Sequence, residues 1–537
     1  MRSLSPVRIQ VIIVVSALLL FLPGLGAVHL FDWDEINFAE IAREMISTGD
    51  WSRPQIEFKP FYEKPPLFMW MQALGMSVFG VGEFAARFPN VICGAITLLV
   101  LYRIGSREQG NTFGLLWVLA YIGSILPNLY FRSGIIDPWF NLFIFLGLYS
   151  FIRSAREGSW RFAMASGGLM GLAVMTKGPA AIIIVGLTIS AYWALRKFST
   201  FLRWKDVLLM LLSMLVVISL WFGSDHVRNG PAFTEAFFQR QVALFMEEDA
   251  GHGGFFGYHF VVLLFGCFPA SIFAIQELLK PTKGTDVQNE TRRWMVILLW
   301  VVLILFSIVS TKIVHYSSLC YFPITYLAAI QLQRIWQKKE SFGWTRFALG
   351  TIGTVIAIVF IIAPFLGMSP QLMKPLLAND PFAEANLEAQ VHWTGLEFFA
   401  GAWLIGILMV AHFLHSKSHF RASLLASLVG SMVFISLGLM LFINNIEGYS
   451  QRAAVDFFAA HAGEKCWFMN HGYKSYVPSF YGRMTEAKPD DETLIRGVID
   501  RPVYLCSKVT SVEQVMGYKT FKETGRANGF VFFERRP

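Results

Sequence analysis

The stretch LFDWDEINFAEIAREM (residues 30–45) follows directly on an apolar run over residues 8–29. It sets Asp32, Asp34 and Glu35 within four positions, at what should be a membrane surface. Whether that surface exists decides the architecture, and the rest of the chain answers. The 537 residues have a mean hydropathy of +0.50, with 55% hydrophobic and only 15% charged residues. A soluble chain carries roughly 25% charged residues. The apolar residues come in uncharged windows of about 20, enough to cross a hydrocarbon core of about 30 Å. Short alternating segments of the β-barrel kind are absent. The sequence therefore predicts an all-α polytopic membrane protein.

About thirteen transmembrane helices are expected. They cover residues 8–29, 84–104, 112–131, 135–153, 162–176, 178–195, 206–222, 258–278, 294–312, 316–335, 346–366, 396–415 and 423–443. The fifth and sixth are short and tightly joined, so eleven or twelve is the alternative count. Arg103, Arg107, Arg153, Arg156, Arg196, Lys197, Arg203, Lys205, Arg292, Arg293, Lys338 and Lys339 fall in the N-terminal-side loop set. That bias puts the N-terminus in the cytoplasm and explains the net charge of +8 without a nucleic-acid partner. An odd count then places the C-terminus on the outer side of the membrane. The first run exceeds a signal-peptide core, so it reads as an uncleaved anchor.

The opposite face carries the loop mass: residues 30–83, 223–257 and 367–395, and a tail from 446 to 537. Residues 1–445 thus form the transmembrane domain and 446–537 a small periplasmic α/β domain. In the tail, RAAVDFFAAHA is helical in pattern, while CWFMNH, PVYLCS and GFVFFE are strand-like. Its Cys466 and Cys506 are candidates to pair; Cys93, Cys267 and Cys320 lie in spans. No Gly-rich phosphate loop occurs, so a soluble nucleotide is not an obvious ligand.

The acidic knot has a structural reading. Asp32-x-x-Glu35 fits a capping-box-like helix start, and the following residues make an amphipathic juxtamembrane helix lying on the bilayer, with Glu40, Arg43 and Glu44 on its polar side. Capping leaves Asp34 unexplained. Asp34 shares a helix face with Phe38, Ile41 and Met45, where a carboxylate is costly without a partner or a task. In the first turn the helix dipole favours its anionic form, which suits a general base. A second chemistry is open at the same place: Asp32-x-Asp34 is a candidate divalent-metal pair, with Glu63 as a further ligand. Later in the loop, Glu63 and Lys64 precede Pro65-Pro66. They are either a solvated pair or a site where Lys64 meets a phosphate at headgroup depth. Arg132 and Asp137 in FRSGIIDPWFN, Lys177 in AVMTKGPAA, and Lys312, His315 and Tyr316 in STKIVHYSSLCYFP lie at the same face. Singly each is explained by snorkelling; together they point to an anionic ligand.

WDEINFAEIAREMISTGDW…P…FYEKPPLFMW resembles the first outward loop of GT-C-type membrane glycosyltransferases, in particular the lipid A aminoarabinose transferases and the wider protein O-mannosyltransferase-like superfamily. RSGIIDP, MTKGP and STKIVHYSSLCYFP fall in the order expected of that family, over about residues 1–445. The resemblance implies inverting transfer of a sugar from a polyprenyl-phosphate donor to a lipid A-type glycolipid or a secreted protein. It implies Asp34 as the catalytic carboxylate, with Glu35 beside it tuning the base. Lys64 of the Glu63–Lys64 pair faces the donor phosphate, and Lys177 and Tyr316 match further cavity positions; by the chemistry of a departing phosphate, Lys177 and Lys312 are further donor-phosphate candidates. Arg132, Asp137, Arg240 and His252 support the site. No cofactor is required, and a divalent metal is the alternative. This chain has Asn37-Phe38 where those enzymes have Arg-Tyr, and FFQRQVALFMEED puts Gln241 and Leu244 at their His and Arg places; Arg240 and His252 are the candidate replacements. Two rival functions are a transporter or flippase for an anionic lipid-linked substrate, which should place its site midway across the bilayer, and a metal-dependent transferase using a pyrophosphate-linked oligosaccharide, which EDTA should inhibit.

Overall fold

The computed structural model describes residues 5–246 and 253–537. α1 (Pro6–Phe21) is the first apolar run, and the loop after it folds into α2 (Asp34–Thr48), a small hairpin of β1 (Gln55–Ile56) and β2 (Lys59–Pro60), and α3 (Leu67–Phe79). The bundle continues through α4 (Glu83–Gln109), α5 (Asn111–Ile122), α6 (Ile125–Leu129), α7 (Asp137–Glu157), α8 (Trp160–Lys177), α9 (Ala180–Leu195) and α10 (Trp204–Asn229). The second loop holds α11 (Ala232–Met246). Then come α12 (Tyr258–Gly266), α13 (Ala270–Leu279), α14 (Asp286–Ile308), α15 (Tyr321–Lys338) and α16 (Thr345–Met368). Short helices α17 (Lys374–Leu377) and α18 (Pro381–Asn386) occupy the third loop before α19 (Phe398–Ser416) and α20 (Phe420–Gly448).

Each apolar window of the sequence falls on a helix or a bent helix pair. Among the described residues six single helices are long and apolar enough to cross a membrane, and up to eight if each bent pair is one span. The pairs bend by 83° after Ile122 and by 116° after Gly266. They lean on each other: the Ser124 hydroxyl donates to the Cys267 carbonyl at 3.2 Å. The other helices, such as α1 and α9, are too short or too mixed in composition to pass alone, so the count of thirteen rests on the sequence windows. α10 leaves Leu208, Leu212, Leu215 and Leu220 exposed, an arrangement that suits hydrocarbon and not water.

The tail is a four-stranded sheet with α21 (Arg452–Ala460) and the short helices α22 (Val477–Tyr481), α23 (Asp491–Arg496) and α24 (Val512–Gly517) around it. Its strands are β3 (Trp467–His471), β4 (Val503–Lys508), β5 (Lys522–Ala527) and β6 (Phe530–Arg535), in the order β3-β4-β6-β5. β3 and β4 run parallel; the other pairs are antiparallel. Alternation puts Met469, Val503, Leu505, Val531 and Phe533 on one face, over Leu494 and Val515. The other face, with Phe468, Cys506, Phe530 and Phe532, joins one buried cluster with Leu30, Ile36, Ala39 and Ala42 of the first loop and α2. The tail is thus clamped onto α2, and the Tyr481 hydroxyl accepts the Leu30 N–H at 2.8 Å.

Two expectations are corrected here. α2 does not lie on the bilayer as an amphipathic helix. Residues Glu35 to Met45 are buried except Asn37; Arg43 donates to both Glu40 oxygens at 2.7 Å, and Glu44 Oε2 accepts the Phe58 N–H at 2.9 Å. Nor do Cys466 and Cys506 pair. Cys506 is in register with Asn470, so Cys466 lies four residues away along the neighbouring strand, about 13 Å at a strand's rise, beyond disulfide reach.

Candidate functional site

Helix ends build the site. Asp34 and Asp137 lie in the first turns of α2 and α7, and Lys177 in the last turn of α8. Each charge sits at the pole its helix dipole favours. Gly178 ends α8 at φ +108°, and a Cβ there would come 2.6 Å from the Phe237 ring. Only glycine permits that turn, which leaves Lys177 at the helix end. Its ammonium donates to Asp137 Oδ1 at 2.7 Å and lies 5.2 Å from the centre of the Tyr316 ring.

His315 sits in the 3₁₀ turn Val314–Cys320 between α14 and α15. Its Nε2 is 3.5 Å from Asp34 Oδ2 and 3.9 Å from Asp137 Oδ2. Asp34 keeps 37% of its side chain exposed, against 2% for Asp137. The stripe beside Asp34 packs as expected: Phe38, Ile41 and Met45 form one cluster with Phe61, Phe68 and Met69. Lys64 precedes α3 and faces the same space. Burial lowers its pKa, opposed by the charges of Glu63 and Asp34, while Lys177 and Arg240 add to the lowering. Lys64, Lys177, Asp34, Asp137, His315 and Tyr316 therefore belong to one constellation.

Next to it the first loop, α11 and the tail enclose a cleft of about 390 Å³, lined by Glu57, Lys59, Tyr62, Glu63, Arg240 and Tyr476 among others. Phe233 and Phe237 anchor α11 against Trp221 and Met175. Arg240 then reaches Glu63, Nε to Oε2 at 3.8 Å, and the Gln241 amide points to the Glu63 carbonyl at 3.5 Å. His252 lies outside the described residues.

Several expected site residues are engaged elsewhere. Glu35 is 5% exposed and lies in a buried ion pair, not at the reacting space. Arg87 Nε and Nη2 donate to its two oxygens at 3.0 and 2.8 Å, and the Phe31 and Gly134 N–H groups complete its acceptors. Burial alone would raise its pKa, but the Arg87 charge and these hydrogen bonds hold it below the usual range. Arg87 spends its other N–H groups on the carbonyls of Leu25, Val28 and His29. Lys312 is not aimed at a phosphate: its ammonium donates to the carbonyls of Phe306, Ser307 and Val309 and closes the C-terminus of α14. Arg132 donates to the Leu20 carbonyl near the end of α1.

Asp32 is not the helix cap, because Trp33 holds that position without a side-chain bond. Burial pushes the Asp32 carboxyl up to about 6, against the Ser475 hydroxyl, the Tyr476 amide and the charge of Lys508. Asp32 thus faces the tail, and Glu63 faces Arg240. Among the described residues no group of three His, Cys, Asp or Glu stands together as a metal-binding set. Arg87 went unnoticed in the sequence because its role depends on contacts far along the chain. His315 was noted only as one more charge at this face; its place beside Tyr316 was the available signal.

The fold and site together define a class: the chain is a polytopic membrane protein with the GT-C glycosyltransferase fold. It aligns over its whole length with the crystal structure of ArnT from Cupriavidus metallidurans bound to undecaprenyl phosphate, at a TM-score of 0.75 and 20% identity, covering 99% of this chain and 98% of that one. The family model for dolichyl-phosphate-mannose-protein mannosyltransferase matches residues 63–222, which include Glu63, Lys64, Asp137 and Lys177. The undecaprenyl phosphate-alpha-4-amino-4-deoxy-L-arabinose arabinosyl transferase of Pectobacterium carotovorum is 28% identical over 339 residues, 61% of this chain and 59% of that protein. That of Pseudomonas aeruginosa PAO1 is 26% identical over 364 residues, 65% and 63% of the two chains. The matches span under two thirds of these curated relatives.

Proposed function

We propose that the chain is an inverting glycosyltransferase that moves a sugar from a polyprenyl-phosphate donor to a lipid A-type glycolipid on the periplasmic face of the inner membrane. The observation that carries this reading is the half-exposed Asp34 carboxylate facing a cluster of cations at the helix ends. Lys64 and Lys177 stabilise the departing phosphate, and Tyr316 lines its seat. Asp34 takes the acceptor proton from the opposite side of the sugar, which gives inversion. The reaction so described draws its base and its cations from side chains and proceeds without a metal. The relatives' printed activities favour a pentosyl donor carried on undecaprenyl phosphate; a secreted protein is the second acceptor class.

A transporter finds less support. The two helix breaks carry Gly123 and Ser124, and Cys267, Phe268 and Pro269, and none of the residues of the charged constellation belongs to them. The test is single-turnover transfer by purified Asp34→Asn with EDTA present throughout. Asn keeps the size of Asp but cannot take a proton at neutral pH. Transfer should fall by about 10²- to 10⁴-fold, with undecaprenyl phosphate binding and thermal stability kept. Near-normal transfer by the mutant would remove Asp34 as base, and loss of wild-type transfer in EDTA would require a metal.

A further inference from the structure

His315 faces both carboxylates of the site. Its Nε2 lies 3.5 Å from Asp34 Oδ2 and 3.9 Å from Asp137 Oδ2. Both distances are too long for a settled hydrogen bond and short enough for one to form after a small rotation. Asp137 Oδ1 is taken by Lys177 at 2.7 Å, while Asp137 Oδ2 is buried and has no hydrogen-bond partner among the described residues. A buried carboxylate oxygen left without a donor is costly. It becomes an advantage if a proton arrives beside it during the reaction. We propose that His315 takes up the proton that Asp34 removes from the acceptor hydroxyl, and that Asp137 holds the imidazolium so formed. The inference rests on Asp34 being the base.

The step balances. The acceptor O–H bond breaks and its proton goes to the Asp34 carboxylate. The acceptor oxygen bonds to the anomeric carbon as the carbon–oxygen bond to the phosphate breaks, and that electron pair leaves with the polyprenyl phosphate. The Asp34 proton then moves to His315 Nε2, which restores the Asp34 carboxylate. Water receives the proton once products have left. The groups facing His315 set the energetics. Asp34 on α2 and Asp137 on α7 favour the imidazolium; Lys177 at the end of α8 and Lys64 in the first loop oppose it. His259 on α12 feels the charges of both Lys312 and His315. Burial outweighs the two carboxylates and lowers the His315 pKa, so the ring is neutral and able to accept before each turnover. His315 touches Asp34 and not the sugar, so it is a positioning and proton-accepting residue.

The experiment compares wild type, His315→Gln, His315→Asn and Asp34→Asn as full-length purified chains. The donor is undecaprenyl phosphate-4-amino-4-deoxy-L-arabinose and the acceptor lipid A. Gln and Asn hold a polar group in place of the ring but take no proton. If the proposal holds, kcat falls about 10- to 100-fold in both His315 variants while the donor KM stays within about twofold. The kcat–pH profile also loses one of its acid-side ionisations. An unchanged kcat and profile, or a loss confined to the donor KM, overturns it. Two variants guard against a folding defect in either one, since a variant whose melting temperature matches wild type suffices. If Asp34→Asn is inactive and the His315 variants behave as wild type, only this inference fails. If Asp34→Asn turns over normally, the base assignment itself has failed.

Discussion

Asp34 and Glu35 are adjacent carboxylates that the sequence reads as a base and a neighbour tuning it, and the structure sets them further apart by their partners. The apolar stripe of Phe38, Ile41 and Met45 was legible from helix spacing, so the direction of Asp34 was legible too. Glu35 depends on Arg87, 52 residues further along, and no local pattern announces a partner at that distance. The same holds for Lys312, whose three carbonyl acceptors exist only once α14 ends where it does. Lys64, Lys177 and Tyr316 do face the space around Asp34, and their motifs were visible as charges placed where burial is expensive. The difference between the two carboxylates is measurable. Glu35→Gln leaves the Arg87 guanidinium buried with its charge uncompensated, which costs about 3–5 kcal/mol. The expected result is a lowered melting temperature in detergent, with the folded fraction keeping its rate per molecule. A stable Glu35→Gln enzyme with a large loss of kcat would return Glu35 to the reacting centre.

At the scale of the element, α2 departs furthest from its sequence pattern. Its polar side reads as solvated because Glu40, Arg43 and Glu44 recur there, yet the tail covers that side and the charges neutralise one another. The tail's helix α21 and three of its strands follow from periodicity. β5 (Lys522–Ala527) does not, because KETGRA offers no apolar alternation and its pairing with β6 is interrupted by a bulge between Glu523 and Gly525. The covered face of α2 has a pH signature. Burial, together with the Glu40 charge, raises the Glu44 carboxyl well above the ordinary carboxylate range, and its Oε1 has no hydrogen-bond partner among the described residues. A raised acid binds its proton more tightly in the folded state, so stability is full in mild acid and falls as pH rises through neutral toward the folded value. Glu44→Gln mimics the protonated form and should flatten that fall. Melting temperatures of the two proteins should converge in mildly acidic buffer and diverge in mildly alkaline buffer, the mutant being higher. A parallel decline in both would assign the alkaline loss to other groups.

For the whole molecule, the shared cluster of Leu30, Ile36, Phe458, Phe468 and Phe480 constrains what charge counting alone could only suggest. The first loop and the tail touch, so they lie on the same side of the membrane, and an even number of crossings must separate them. The second to thirteenth apolar windows supply twelve. A total of twelve crossings that includes the first run would put loop and tail on opposite sides and is excluded by the contact. The basic loops predict which side they share, since the positive-inside rule expects Arg103, Arg107, Arg153, Arg156, Arg292 and Lys338 in the cytoplasm. This is tested with single cysteines at exposed positions, Lys59→Cys in the first loop, Glu492→Cys in the tail and Lys283→Cys between α13 and α14, in a Cys466→Ser background because Cys466 is the one native thiol that is not buried. In intact cells a membrane-impermeant maleimide should label the cysteines at 59 and 492 and spare that at 283 until the membrane is opened. The reverse pattern would invert the protein and move the Asp34 site to the cytoplasmic face, where a periplasmic acceptor could not reach it. Labelling at 59 with protection at 492 would contradict the contact between loop and tail, and with it the burial of α2 on which the orientation of Asp34 depends.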